Sequence, residues 1–190
     1  MDAYDWDQTI YRKDSTAGFF LFCARRYPAV RRFGFIALRI ALRHVRGLPP
    51  LREQKQAFYR YLAKVPDVEA CVREFWAENA ADVGFPAMPV HPQPGDAVIS
   101  ASPEFLLRDV VAGLGLELFA GRIDPTTGEL DGLDCYGEEK VRRFREAFGE
   151  DARISNWYSD SLSDAPMAAI AERAFLVRPE GLTPWPGTNA

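Results

Sequence analysis

The chain has 190 residues, 47% of them apolar and 13% aromatic, and a net charge of −4. That composition is ample for a packed core and excludes wholesale disorder. The acidic balance, without an aromatic-interleaved basic patch or a recognised binding motif, argues against nucleic acid as a partner.

The first residues are acidic and polar, unlike a signal peptide. The longest apolar stretch, FGFIAL, is far short of the roughly 20 residues that span a bilayer. Cys23, Cys71 and Cys135 are odd in number, far apart and near no histidine at ligand spacing. They are expected as free buried thiols in a reducing compartment rather than as a zinc site or disulfide framework. A cytoplasmic protein is the expectation.

In chain order, AYDW reads as the end of a short strand running into the loop DWDQT. From Ser15 to about Ala81 the pattern is helical. STAGFFLFCARRY opens on Ser/Thr cap candidates and stops near Pro28. AVRRFGFIALRIALRHVRG ends at Gly47, before a Leu-Pro-Pro that forbids continuation. LREQKQAFYRYLAKV and DVEACVREFWAENAADV complete four helices. GFPAMPVHPQPGDA, with prolines at 86, 89, 92 and 94, is a linker by composition.

Beyond it the period changes. DAVISAS is a compact buried strand. PEFLLRDVVAGLG is a helix with Pro in its first turn, Gly at its end and Ser102 as its expected N-cap. LELFAGRID is a strand running into a hairpin around PTTG. GEEKVRRFREAFG is a helix, RISNWYSDS a strand and loop, SDAPMAAIAERA a helix and FLVRP a last strand. Strands alternating with helices predict an α/β fold with a doubly wound, mostly parallel sheet covered on both faces. Residues 1–13 and 83–190 would form this core, and 14–82 an inserted all-helical cap.

Charge is uneven along the chain. Between Arg12 and Arg60 there are 12 Lys/Arg against Asp14 and Glu53, a local balance of +10 that leaves −14 for the rest. Arg32, Arg39, Arg43 and Arg46 fall within about 60° on a helical wheel. This stripe has three readings: the solvated rim of a cap helix whose other faces are buried, a lure for anionic substrates, or a membrane-surface contact. The first is the leading expectation. Arg52 and Lys55, in the next helix, are candidate substrate contacts by position.

Ligands of open α/β sheets bind at the carboxyl ends of strands, and several polar groups fall at such ends. Asp5 and Asp7 follow the first strand; two apart in extended chain, they point the same way. Ser100 closes DAVIS, Lys140 starts a helix, and Asp160 and Asp164 follow NWYS. Lys140 in a first helical turn runs against the helix dipole. Asp164 has an alternative role as a helix cap. His44 and His91 match no part of this pattern, and the four tryptophans are read as packing residues.

DWDQT, VISAS, GEEK and YSDSLSDAPM, in that order, resemble the four motifs of the haloacid dehalogenase superfamily of phosphatases. A helical segment after the first motif resembles its subfamily I, the phosphoserine-phosphatase-like branch with a helical cap. The resemblance implies a Rossmann-like core and a Mg²⁺-dependent phosphatase acting on a small-molecule phosphomonoester. It makes Asp5 the nucleophile that forms an aspartyl-phosphate, Asp7 the general acid/base, and Lys140 the neutralising charge. Thr9, Ser100 and Ala101 would bind phosphate, with Lys55 reaching from the cap. Asp5, Asp7, Asp160 and Asp164 would form the metal site.

Such chemistry has its own need for these residue types. A carboxylate nucleophile divides a hard hydrolysis in two, and a hard cation with a fixed ammonium spreads the developing negative charge. Gln8 stands where Gly is frequent in the superfamily, Ser100 is followed by ASP rather than a Gly pair, Tyr158-Ser159 stand where a Gly is common, and Ser163 replaces a frequent Asn. Two alternatives stand beside this reading: the same chemistry on a membrane-associated phospholipid phosphate, and an inactive phosphate-binding or scaffolding protein. Neither motif nor composition sets the oligomeric state.

Overall fold

The computed structural model describes residues 1–46, 48, 51–84 and 92–187. Residues 85–91 of the expected proline-rich linker, His91 among them, and the side chain of His44 lie outside that description.

Six strands form one sheet in the order β3-β2-β1-β4-β5-β6. They are β1 (Ala3–Tyr4), β2 (Ala97–Pro103), β3 (Glu117–Gly121), β4 (Ile154–Ser159), β5 (Ala171–Arg178) and β6 (Gly181–Pro184). All neighbours are parallel except the β5–β6 pair. Successive residues alternate between the two faces, as the strand period of two requires. Tyr4, Val98 and Tyr158 belong to one core cluster; Ala3, Ala97, Ile99 and Trp157 belong to the other. With both faces covered, the central strands read as continuous apolar runs rather than alternating ones.

The helices explain the two layers. α6 (Glu138–Phe148) and α7 (Ala165–Ile170) cover one face, with Phe144 and Met167 fully buried. α5 (Glu104–Gly113) covers the other, together with part of the inserted segment. That segment holds α1 (Ser15–Arg26), α2 (Gly34–Val45), α3 (Arg52–Tyr59) and α4 (Val68–Asn79). Phe19, Phe22, Phe75 and Trp76 join the same cluster as Leu106 and Leu107. The Trp76 Nε1–H donates to the Leu106 carbonyl at 2.6 Å, fixing α4 on α5. So α1 and α4 are continuous with the sheet's own core.

Several local expectations are corrected. α1 is capped by Asp14, whose Oδ1 accepts from the Ala17 N–H at 2.7 Å, not by Ser15 or Thr16. The expected single helix over 29–47 begins as a 3₁₀ turn at Pro28–Phe33 before α2. Ser102 is not the cap of α5, which starts after Pro103 without a side-chain cap. The PTTG hairpin reduces to one bridge, Ile123 with Leu130, closed by Asp124 accepting from the N–H groups of Thr126 and Thr127. The helix expected through Ala174 stops at Ile170, and AERA enters β5.

The solvated-rim reading of the basic helix also fails. Phe35, Leu38, Leu42 and Val45 of α2, expected to be buried, are 68%, 55%, 46% and 83% exposed.

Candidate active site

β1 lies between β2 and β4, where the chain's winding reverses, the usual place for a ligand crevice in such sheets. The ladder places Tyr4 level with Val98 and Tyr158, and the Asp5 N–H extends it by donating to the Tyr158 carbonyl at 2.8 Å. Asp5 therefore stands level with Ile99 and with Ser159, the last residue of β4, and Ser100 lies one position further along β2.

Lys140 enters this corner from the first turn of α6. Its Nζ donates to Asp5 Oδ1 and to Asp164 Oδ2, each at 2.9 Å, and lies 2.8 Å from Asp164 Oδ1. The ammonium also sits 5.5 Å above the Trp157 ring centroid. Asp164 is fixed further by the Ser159 Oγ–H at 2.8 Å. Both Asp164 oxygens thus serve Lys140 and Ser159, which suits a residue that positions Lys140 more than one open to a metal. The two ion pairs hold the Lys140 ammonium well above its usual pKa against the opposing effect of burial.

Asp7 has a different setting. Its Oδ1 accepts from the Ser15 N–H at 2.6 Å, and its Oδ2 accepts from the Ser102 hydroxyl. Ser102 in turn is within 2.9 Å of the Thr16 hydroxyl. Burial, with the nearby Asp14 charge, raises the Asp7 carboxyl to about 7 despite these two hydrogen bonds. Burial likewise raises Asp5, to about 6, with Lys140 opposing and Asp164 adding to the shift.

Asp160 flanks them, half-buried. Its N–H donates to Thr9 Oγ1 at 3.1 Å and its carbonyl accepts from Arg178 Nη1. Its carboxylate makes no hydrogen bond or ion pair with another side chain among the described residues. Burial first, then the charges of Asp5 and Asp164, raise it to about 7. Three carboxylates thus face one ammonium, leaving negative charge uncompensated. Among the described residues no cluster of three His, Cys, Asp or Glu stands ready as a cation cage. Two hard oxygen donors, Asp5 and Asp160, fit a cation that takes its remaining ligands from water and phosphate.

The remaining expected residues are close by but already engaged. Ser100, 1% exposed, accepts from the Ser102 N–H at 3.1 Å. Thr9 anchors the Asp160 backbone, and both it and Asp160 line a cavity of about 450 Å³ together with Gln8, Arg12 and Arg178. Lys55 reaches the rim at Ala101, 3.5 Å from its carbonyl, and is paired with both Asp134 oxygens at 2.7 and 2.6 Å. Arg52 donates to the Gly132 carbonyl and Gln56 bonds Gly128 and Leu130, so α3 is stitched to the loop after β3. A Cβ on Gly128 would stand 2.1 Å from the Tyr59 carbonyl oxygen, so only glycine fits that seam.

Sequence reasoning missed Ser102 as a partner of Asp7, Ser159 as a partner of Asp164, and Asp134 as the counter-ion of Lys55. Gln8 now has an account: it is the described non-glycine residue with positive φ, +58°. Glycine is the natural occupant of that backbone conformation.

A family model described as haloacid dehalogenase-like hydrolase matches residues 3–169. Protein CicA of Caulobacter vibrioides is 38% identical over 81 residues, 40% of this chain. That match spans only 36% of CicA's own length. A crystal structure of a protein of unknown function from Bordetella pertussis Tohama I superposes with a TM-score of 0.75 at 22% identity, covering 92% of this chain and 87% of that one. A phosphoserine phosphohydrolase-like protein from Francisella tularensis does so with a TM-score of 0.60 at 15% identity, covering 95% and 89%. At those identities the two structures establish a shared fold.

Proposed function

We infer the reaction from a premise that the match over residues 3–169 supplies: the chain belongs to the haloacid dehalogenase-like hydrolase family. The reading is a Mg²⁺-dependent phosphatase that hydrolyses a phosphate monoester through an aspartyl-phosphate on Asp5. The observation that carries it is the unequal setting of two neighbouring carboxylates. Asp5 is held by an ammonium, whereas Asp7 is held by a hydroxyl and an amide and keeps its proton up to about pH 7. One is set to attack and the other to carry a proton.

In the first step an Asp5 oxygen attacks phosphorus as the ester P–O bond breaks, and Asp7 gives its proton to the departing alkoxide. In the second, the Asp7 carboxylate takes a proton from water as that water attacks the acyl phosphate, releasing inorganic phosphate and restoring Asp5. Lys140, held in place by Asp164 and Ser159, supplies a fixed positive charge beside the phosphoryl oxygens. Ser100 and the backbone around Ala101 supply donors on the opposite side. Mg²⁺ bound at Asp5 and Asp160 would keep Asp5 ionised and share the phosphoryl charge. Residues 14–82 act as the cap, with α3 as its nearest wall at the Ala101 rim.

The test is turnover of a generic aryl phosphate and a panel of sugar, amino-acid, nucleotide and lipid phosphates, with and without Mg²⁺. Asp5→Asn should abolish turnover while circular dichroism stays unchanged; residual hydrolysis at the parent rate would disprove the mechanism. A second reading keeps this chemistry and places the phosphate on a lipid. The exposed apolar face of α2 favours it, and preference for a phospholipid phosphate in that panel is its test.

A further inference from the structure

Helix α2 is inside out relative to an ordinary cap helix. Ile36, Ala37 and Ile40 pack against the core cluster and are half-buried. The opposite side presents Phe35, Leu38, Leu42 and Val45, which span about 80° of the wheel. Arg46 and Arg39, both exposed, start about 20° beyond Phe35, with half-buried Arg43 next to them. Leu48 and Leu51 extend the apolar surface at 47% and 50% exposure. Of the eleven large apolar residues exposed among the described residues, these six lie between positions 35 and 51. That is a patch, not the scatter usual on a protein surface.

We propose that α2 is an interfacial helix that docks the protein on an anionic lipid surface. Its apolar face enters the headgroup boundary, and Arg39, Arg43 and Arg46 lie level with the lipid phosphates. The occupant follows from charge. No acidic residue occurs between Asp14 and Glu53, so the segment that carries these arginines has no negative side chain of its own. A second copy packed two-fold on the same face would bring like stripes together with no counter-charge, whereas an anionic bilayer complements both the apolar and the cationic sides. The helix lies on the surface rather than across it: among the described residues no helix is long and apolar enough to cross a membrane. This docking stands independently of the phosphatase reading, because it is measured without turnover.

The experiment is co-sedimentation of the full chain with phosphatidylcholine vesicles, with and without phosphatidylglycerol, at low and physiological salt. Binding is expected on the anionic vesicles, weakening with salt. Arg39→Glu combined with Arg46→Glu should weaken it at least about tenfold, and Phe35→Ser combined with Leu42→Ser by a similar factor. Circular dichroism checks that each variant is folded. No binding to anionic vesicles at low salt, or equal binding by both variants, would overturn the proposal. So would a dimer in gel filtration that Leu42→Ser dissociates, since the face would then belong to a second copy.

Discussion

Two regions of this molecule invert the ordinary arrangement of apolar inside and charged outside, in opposite senses. At the ends of β1 and β4, Asp5, Lys140 and Asp164 are 8%, 3% and 2% exposed. On α2, phenylalanine, leucine and valine face outward. The first inversion is resolved within the chain, because each buried charge finds an opposite charge or a hydroxyl within 2.9 Å. The second is not resolved by anything among the described residues. Departures from the folding rules tend to mark functional sites, and the contrast separates two kinds. One prepares chemistry and is complete as folded, apart from residual negative charge that suits a cation. The other, on the proposed docking, is completed by a lipid surface.

The contrast is sharpened first at the proposed nucleophile. Asp5→Asn removes one charge from an over-negative corner while Lys140 keeps Asp164. It is expected to lower kcat at least about 10⁴-fold with no loss in thermal midpoint. On the other side, Asp164→Ala leaves Lys140 with Asp5 as its remaining carboxylate and takes from Ser159 the oxygen it donates to. It should cost about 1.5–3 kcal/mol in urea denaturation; a loss under about 0.5 kcal/mol would mean that Asp164 does not hold this corner together.

The pH dependence has a definite sign. Asp7 and Asp160 are raised from 3.8 to about 7, so the folded chain holds protons that the unfolded chain releases. Metal-free stability should therefore be greatest near pH 4, fall as pH rises to about 7 and then level off. Mg²⁺ should flatten the slope, measured by denaturation at fixed pH steps. At the rim, Gln8→Gly relieves a left-handed backbone and should stabilise by about 1 kcal/mol. Smallest of all, Phe35→Ser should change stability by no more than about 0.5 kcal/mol. That near-neutrality would confirm that the folded chain does not bury α2's outer face.

The reasons some features could be read from residues alone are physical. Central strands announce themselves as short apolar runs because both faces are covered, and the candidate carboxylates announce themselves by falling at those strands' ends. AERA did not, because Ala, Glu and Arg favour helices and only the neighbouring β4 draws them into β5. Ser102 looked like a cap because it precedes Pro103; its hydroxyl instead serves Asp7, a partner 95 positions earlier. Periodicity showed which residues of α2 share a side, but which side the rest of the chain covers is decided by where the helix packs.

The shortest strand carries a consequence for how the protein is made. β1 is only Ala3–Tyr4, yet it sits in the middle of the sheet, paired with Ala97 and Val98 on one side and Trp157 and Tyr158 on the other. Ala3 and Tyr4 are made before either of their neighbours and acquire the second only once β4 has been made. Pairing this distant in sequence delays folding and leaves apolar surface exposed meanwhile. A nascent chain therefore displays the apolar side of α2 before it can assemble the proposed reacting centre, and any truncation before β4 yields a fragment without that centre.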